Sequence, residues 1–129
     1  MTPASPEPLS RREREILDIV YARREATAPQ VQEDMAEPPS YSAVRGLLRV
    51  LVEKGHLRVR KGGNKNVYRP TKSRTAAGRN ALARALDTFY DGDLGEAVAA
   101  LLHVKGNEIS GEERDRLLGM IDRAREEGR

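Results

Sequence analysis

Residues 41–70 read YSAVRGLLRVLVEKGHLRVRKGGNKNVYRP, and the spacing of the apolar positions changes half-way along. Val44, Leu47, Leu48 and Leu51 fall on one face of a helix. Ser42, Gly46, Arg49 and Glu53 fall opposite, with Arg45 and Val50 beside them. Ser40 or Ser42 supplies the N-cap. Gly55 follows the last periodic residue, where a helix end favours positive φ. From Leu57 the pattern alternates: Leu57 and Val59 face one way, Arg58 and Arg60 the other. KGGNK suits a hairpin turn, because glycine and asparagine adopt positive φ at little cost. Asn66 to Arg69 form the returning arm, and Pro70 ends it or lies on its edge. This stretch is therefore a helix followed by a basic β-hairpin.

Upstream, Ser10 with Glu13 and Thr27 with Gln30 form two capping boxes. The first opens a helix to about Arg24, with Ile16, Leu17, Val20 and Tyr21 on its apolar stripe. The second opens a short helix with Val31 and Met35 inward, and Pro29 is tolerated in its first turn. Residues 1–8 hold three prolines and no period, and are expected to form a disordered tail. Three short helices and a basic hairpin make a winged helix-turn-helix domain over residues 9–72, whose third helix enters the major groove.

Downstream, residues 73–129 are expected to hold three more helices and to serve as a helical dimerisation region. One runs from about Thr75 to Tyr90 with Leu82, Leu86 and Phe89 on one side. After the turn Asp91-Gly92-Asp93, a second carries Leu94, Val98, Leu101 and Leu102. Ser110 with Glu113 caps a third, with Leu117, Leu118 and Ile121. So small an appendage buries little core alone, and its ten apolar residues fit a second copy better. The fold class is mainly α (α+β).

Charge is segregated along the chain. Residues 54–86 hold ten basic residues and no acid, while the flanking segments are net negative and the whole chain is net +3. Such a stretch suits a polyanion partner. Cysteine is absent from the 129 residues, which excludes disulfides, thiolate metal sites and a cysteine nucleophile. No apolar run approaches a membrane span, and MTPASPEPLSRRERE lacks the pattern of a secretory signal. A cytoplasmic location is expected.

Other chemistry finds little support. A phosphate loop needs G-x-x-x-x-G-K-[ST] between strand and helix, and KGGNKNVY continues as a strand instead. His56 follows the helix-capping glycine and His103 ends an apolar helix, neither in a metal-ligand spacing. No metal, cofactor or catalytic residue is expected, and the protein is not read as an enzyme. DNA binding has its parts. Arg45 and Arg49 can read guanine bidentately, and Ser42 can reach a base or phosphate. Arg58, Arg60, Lys61 and Lys65 surround the hairpin and suit the phosphate backbone. Two rivals remain: a non-specific architectural DNA-binding protein and a winged-helix protein-interaction adaptor.

LSRREREILDIVY, YSAVRGLLRVLVEKGHL and NVYRPT, together with FYDGDLGEAVAALL and ISGEERDRLLGMIDRARE, resemble the penicillinase-repressor (BlaI/MecI/CopY) family over about residues 9–126. The resemblance implies a cytoplasmic homodimer that binds inverted-repeat operators in double-stranded DNA and represses transcription, with the C-terminal helices dimerising. It places the reading positions at Ser42, Ala43, Arg45, Gly46 and Arg49. The family commonly has threonine where this chain has Ala43 and Gly46, and arginine where it has Val50, so a different operator is expected. Its copper-sensing branch uses a cysteine cluster that this chain lacks. Other members are released through a membrane sensor and proteolysis, which leaves an upstream sensor or protease open here.

Overall fold

A computed structural model describes residues 8–128; the expected N-terminal tail, apart from Pro8, lies outside them. Helix α1 spans Arg11–Arg23. The Oγ of Ser10 accepts from the Glu13 amide at 3.2 Å and the Glu13 carboxylate accepts from the Ser10 amide at 3.0 Å, so both halves of the box form. Helix α2 spans Ala28–Asp34 behind the equivalent box of Thr27 and Gln30. Helix α3 spans Tyr41–Glu53, and Ser40 rather than Ser42 is its cap, accepting from the Ala43 amide at 3.1 Å. Gly55 has φ +87. Its amide bonds the Val52 carbonyl while the His56 amide reaches back to Leu51, the pair of bonds that closes a helix on a left-handed residue.

Three side chains pin the connection between α2 and α3. Arg12 donates to the Glu37 carbonyl at 3.0 Å, the Glu15 carboxylate accepts from the Ala36 amide at 3.2 Å, and Gln32 donates to the Pro39 carbonyl at 3.1 Å. These bonds help fix where α3 begins relative to α1 and α2.

Strands β1 (Leu57–Gly62) and β2 (Lys65–Pro70) pair antiparallel, with Leu57 opposite Pro70 and Gly62 opposite Lys65. The loop is Gly63-Asn64, with positive φ at Gly63 alone, as a two-residue turn with glycine first requires. On the far side of β2, Ala26 forms a bridge to Tyr68 through two hydrogen bonds of 3.0 and 2.8 Å. The chain reaches that bridge through Arg24, whose φ of 76 is uncommon for a residue with a side chain. Leu57 and Tyr68 are buried, but Val59 is 45% exposed. Burial therefore stops at the base of the wing, because a two-stranded ribbon that leaves the helices has no layer to bury its next residue.

The core gathers Ile16, Leu17 and Val20 of α1, Val31 of α2, and Val44, Leu48 and Leu51 of α3 over Leu57 and Tyr68. Each large aliphatic taken fully out of water contributes about 1.5–3 kcal/mol. One charge sits at the edge of this core. Glu13 is 5% exposed and receives Lys54 Nζ at 2.7 and 3.2 Å. The bond from Lys54, then that from the Ser10 amide, hold its carboxyl below the usual glutamate value despite the opposing effect of burial. Lys54 also donates to the Pro8 carbonyl at 3.1 Å.

The chain divides into two compact units between Arg79 and Asn80, inside helix α4. Helix α4 spans Arg74–Tyr90, with the Ser73 hydroxyl accepting from the Ala76 amide. Asp91 and Gly92 both take positive φ at the turn, and Asp93 caps helix α5, Leu94–Lys105. A 3₁₀ turn, Gly106–Glu108, leads to helix α6, Gly111–Glu127. Ser110 caps α6, but the expected capping box closes only half-way. The Glu113 carboxylate takes Arg116 at 3.0 and 3.4 Å instead of the Ser110 amide. No described residue of α4, α5 or α6 is buried. No helix among the described residues is long and apolar enough to cross a membrane.

Candidate nucleic-acid interface

Helix α3 buries Val44, Leu48 and Leu51, with Leu47 and Val52 packed beside them, so the opposite side of the helix faces outward. Ser42, Ala43, Arg45 and Arg49 are exposed and Gly46 is half-buried. Arg58, Arg60, Lys61 and Lys65 on the wing are exposed as well.

Helix α3 and the wing face each other across a hollow of about 490 Å³. Ser42, Arg45, Gly46 and Arg49 line its helix side, and Val59, Asn66 and Tyr68 its wing side. A second hollow of about 300 Å³ shares Tyr41, Arg45, Asn66 and Tyr68 with the first and adds Thr27, Asn64 and Lys65. Ala43 lines neither, nor do Arg58, Arg60 and Lys61. Both hollows are open to solvent, and their walls carry guanidinium, ammonium, amide and hydroxyl groups together with the aliphatic side chains of Val52 and Val59 in the first.

The basic residues are not equivalent. Arg49 approaches Glu53 at 4.0 Å one turn along α3, and Arg60 meets Glu25 at 3.1 Å. Arg45 lies over the Tyr41 ring, 5.9 Å from its centre. Among the described residues, Arg45, Arg58, Lys61 and Lys65 pair with no acid. Every ion pair here is largely exposed, so each holds its arginine only weakly.

Bonds outside the interface hold these elements in place. Arg23 of α1 grips Asp34 of α2 through two bonds of 2.6 and 3.0 Å, which lowers the Asp34 carboxyl and raises the Arg23 guanidinium. The Thr71 hydroxyl donates to the Gly55 carbonyl at 2.7 Å, and the Tyr21 hydroxyl donates to the Lys72 carbonyl at 3.0 Å. Burial alone pushes the Tyr21 phenol up. Both ends of the wing are thereby tied to the helices.

Tyr41, Asn66 and Val59 were not identified as interface residues from sequence. Tyr41 had an available signal: it lies one helical turn before Arg45, where side chains meet. Asn66 and Val59 needed the folded hairpin.

The second unit presents a different surface. Leu82, Phe89, Leu94, Val98, Leu101, Leu102, Leu118 and Ile121 are all exposed, Phe89 to 76%, while Leu86 and Leu117 are half-buried. Val104 and Met120, which the sequence reading passed over, are exposed too. Among the described residues no three metal-ligating side chains cluster.

A family model described as penicillinase repressor matches residues 9–123, nearly the whole chain. The chain belongs to the penicillinase repressor family. No curated protein matches it. Among solved structures, a complex of hsRosR shares 18% identity and a TM-score of 0.59, over 79% of this chain and 96% of that one. A ZitR variant from Lactococcus lactis shares 17% identity and a TM-score of 0.50, over all of this chain and 82% of that one. The monomeric form of BlaI from Bacillus licheniformis, in complex with the blaP half-operator, shares 20% identity and a TM-score of 0.48, over 55% of this chain and 89% of that one. At such identities the likeness is one of fold. The penicillinase-repressor chain is thus a winged-helix protein of mainly α class, in a family of DNA-binding transcriptional regulators and not of enzymes.

Proposed function

We propose that the protein is a homodimeric repressor that reads a two-fold operator in double-stranded DNA. The observation that carries this reading is the shared hollow between α3 and the wing. It sets residues able to recognise base edges, Ser42, Arg45 and Arg49, beside a hairpin whose cations meet phosphate. Ala43 and Gly46 complete the face of α3 that enters the major groove and leave it with little side-chain bulk. Arg58, Arg60, Lys61 and Lys65 grip the backbone and release counterions without reading sequence.

The apolar residues of α4, α5 and α6 support the second half of the proposal. A second copy covers Leu82, Leu86, Phe89, Leu94, Val98, Leu101, Leu102, Leu117, Leu118 and Ile121, and a two-fold dimer presents two α3 helices to matching half-sites. The winged domain is taken as residues 9–72 and the dimerisation region as residues 73–129. The decisive measurement compares affinity for a selected operator with that for random duplex at physiological salt. A repressor shows at least a thousandfold preference, about the lower end for specific regulators. A ratio near one overturns the reading.

A further inference from the structure

Three cations line the hollows, Arg45 and Arg49 from α3 and Lys65 from the wing, and one of them has an unusual neighbour. Arg45 is exposed, pairs with no acid among the described residues and lies 5.9 Å from the centre of the Tyr41 ring. Arg49 has Glu53 within reach, and Arg60 has Glu25. Tyr41 is itself 45% exposed, and its hydroxyl makes no hydrogen bond among the described residues. The ring supports no part of the core, since Val44, Leu48 and Leu51 make the buried face of α3. It nevertheless lines both hollows, as Arg45 does.

We infer that Tyr41 is a positioning residue that aims Arg45, and that Arg45, not Arg49, is the principal base reader. The inference rests on the DNA-reading proposal above and deepens it. A guanidinium is attracted to the face of an aromatic ring. Tyr41 stands one turn before Arg45 on the same helix, so the ring restricts the arginine to conformations that project from the first half of α3. The N-terminal part of a recognition helix is the part that meets base edges. An arginine held there, with no carboxylate competing for its donors, presents its fork to the O6 and N7 of guanine. Arg49 lies one turn further on, with the Glu53 carboxylate 4.0 Å from its Nε. Its place suits a phosphate.

The test is selection of duplexes from a fully randomised pool by the intact chain and by variants, with thermal unfolding measured on each. The native chain is expected to enrich a guanine at one position in each half-site. Arg45→Lys keeps the charge and loses the bidentate geometry, and preference at that position falls at least about fivefold. Tyr41→Leu lowers preference at the same position about two- to fivefold relative to the other positions. Tyr41→Phe retains the ring and restores the native profile. If Tyr41→Leu enriches the same guanine as strongly as the native chain, the inference is overturned while the repressor reading stands. If Tyr41→Phe fails as Tyr41→Leu does, the hydroxyl and not the ring is at work, and the inference is again overturned. If Arg49→Ala alone erases the guanine, Arg49 is the reader. A native chain with no preference at any position removes the repressor reading and this inference together.

Discussion

The first three helices and the last three are built from similar local signals and end in opposite states. Both sets are capped by serine, threonine or aspartate, and both carry aliphatic stripes. The first set buries its stripes against one another and against the foot of a hairpin. The second buries none of them, and leaves phenylalanine and leucines in water. Capping and propensity thus make helices in both places, but a core needs elements that cover each other. In α1, α2 and α3 the chain folds back tightly enough to do so. In α4, α5 and α6 the uncovered stripes are what a second molecule is proposed to cover.

The largest effects test that contrast directly. Leu48→Ala removes a fully buried side chain and is expected to cost about 2–5 kcal/mol in denaturant unfolding. Leu101→Ala, in a chain diluted until monomeric, is expected to cost less than about 0.5 kcal/mol. Equal losses would erase the distinction between the two regions. Leu101→Asp is expected to convert a dimer to a monomer in sedimentation, and a variant that still sediments as a dimer removes the C-terminal interface.

Next comes the one charge at the core's edge. Lys54→Met strips Glu13 of its partner and is expected to cost about 2–3 kcal/mol, somewhat below the cost of breaking a fully buried pair, because Lys54 retains contact with water. The pH dependence has a definite sign. Glu13 has a lowered value in the folded state, so its contribution is fully present above the ordinary value of 4.5 and is lost as pH falls through the folded value. The stability difference between the native chain and Glu13→Gln should therefore stay level from pH 7 to 5 and shrink in more acid solution. A difference that widens in acid contradicts the assignment.

Smaller effects concern the interface. A Cβ at Gly46 would meet nothing within 4 Å, so Gly46→Ala should stabilise the free protein by up to about 1 kcal/mol. If the bare backbone at Gly46 serves close approach to DNA, the same variant binds its operator less tightly. A gain in both properties would make the glycine incidental. Glu25→Gln frees Arg60 from its carboxylate, and should raise affinity for any duplex by about two- to fivefold at low salt. A gain confined to one sequence would move Arg60 from the backbone grip to base reading.

Much of the winged unit could be read before the fold was known, because its punctuation is local. The boxes at Ser10 and Thr27, the glycine after α3 and the turn between the strands each depend on residues a few positions apart. What sequence left hidden depends on distant partners. Glu13 looks like a capping residue, and only the fold brings Lys54 to it across 41 positions. Val59 looks like a core residue by alternation, and only the projection of the wing leaves it in water. Ala26 belongs to no periodic element, yet it extends the sheet. At the interface, the exposed residues of α3 were legible as the complement of its apolar stripe. The asymmetry between Arg45 and Arg49 was not, because it lies in what each side chain touches.

The bridge from Ala26 to Tyr68 also affects association between molecules. A two-stranded ribbon ordinarily offers two open edges to a stray strand, and such edges seed aggregation. Here Ala26 occupies part of the edge of β2. The edge of β1 stays open, but its strand carries Arg58, Arg60 and Lys61 without an acid of its own. An approaching strand from another copy meets like charge there, whereas a polyanion is drawn in. The cations that suit the wing to a phosphate chain thereby also keep it from sticking to its own kind.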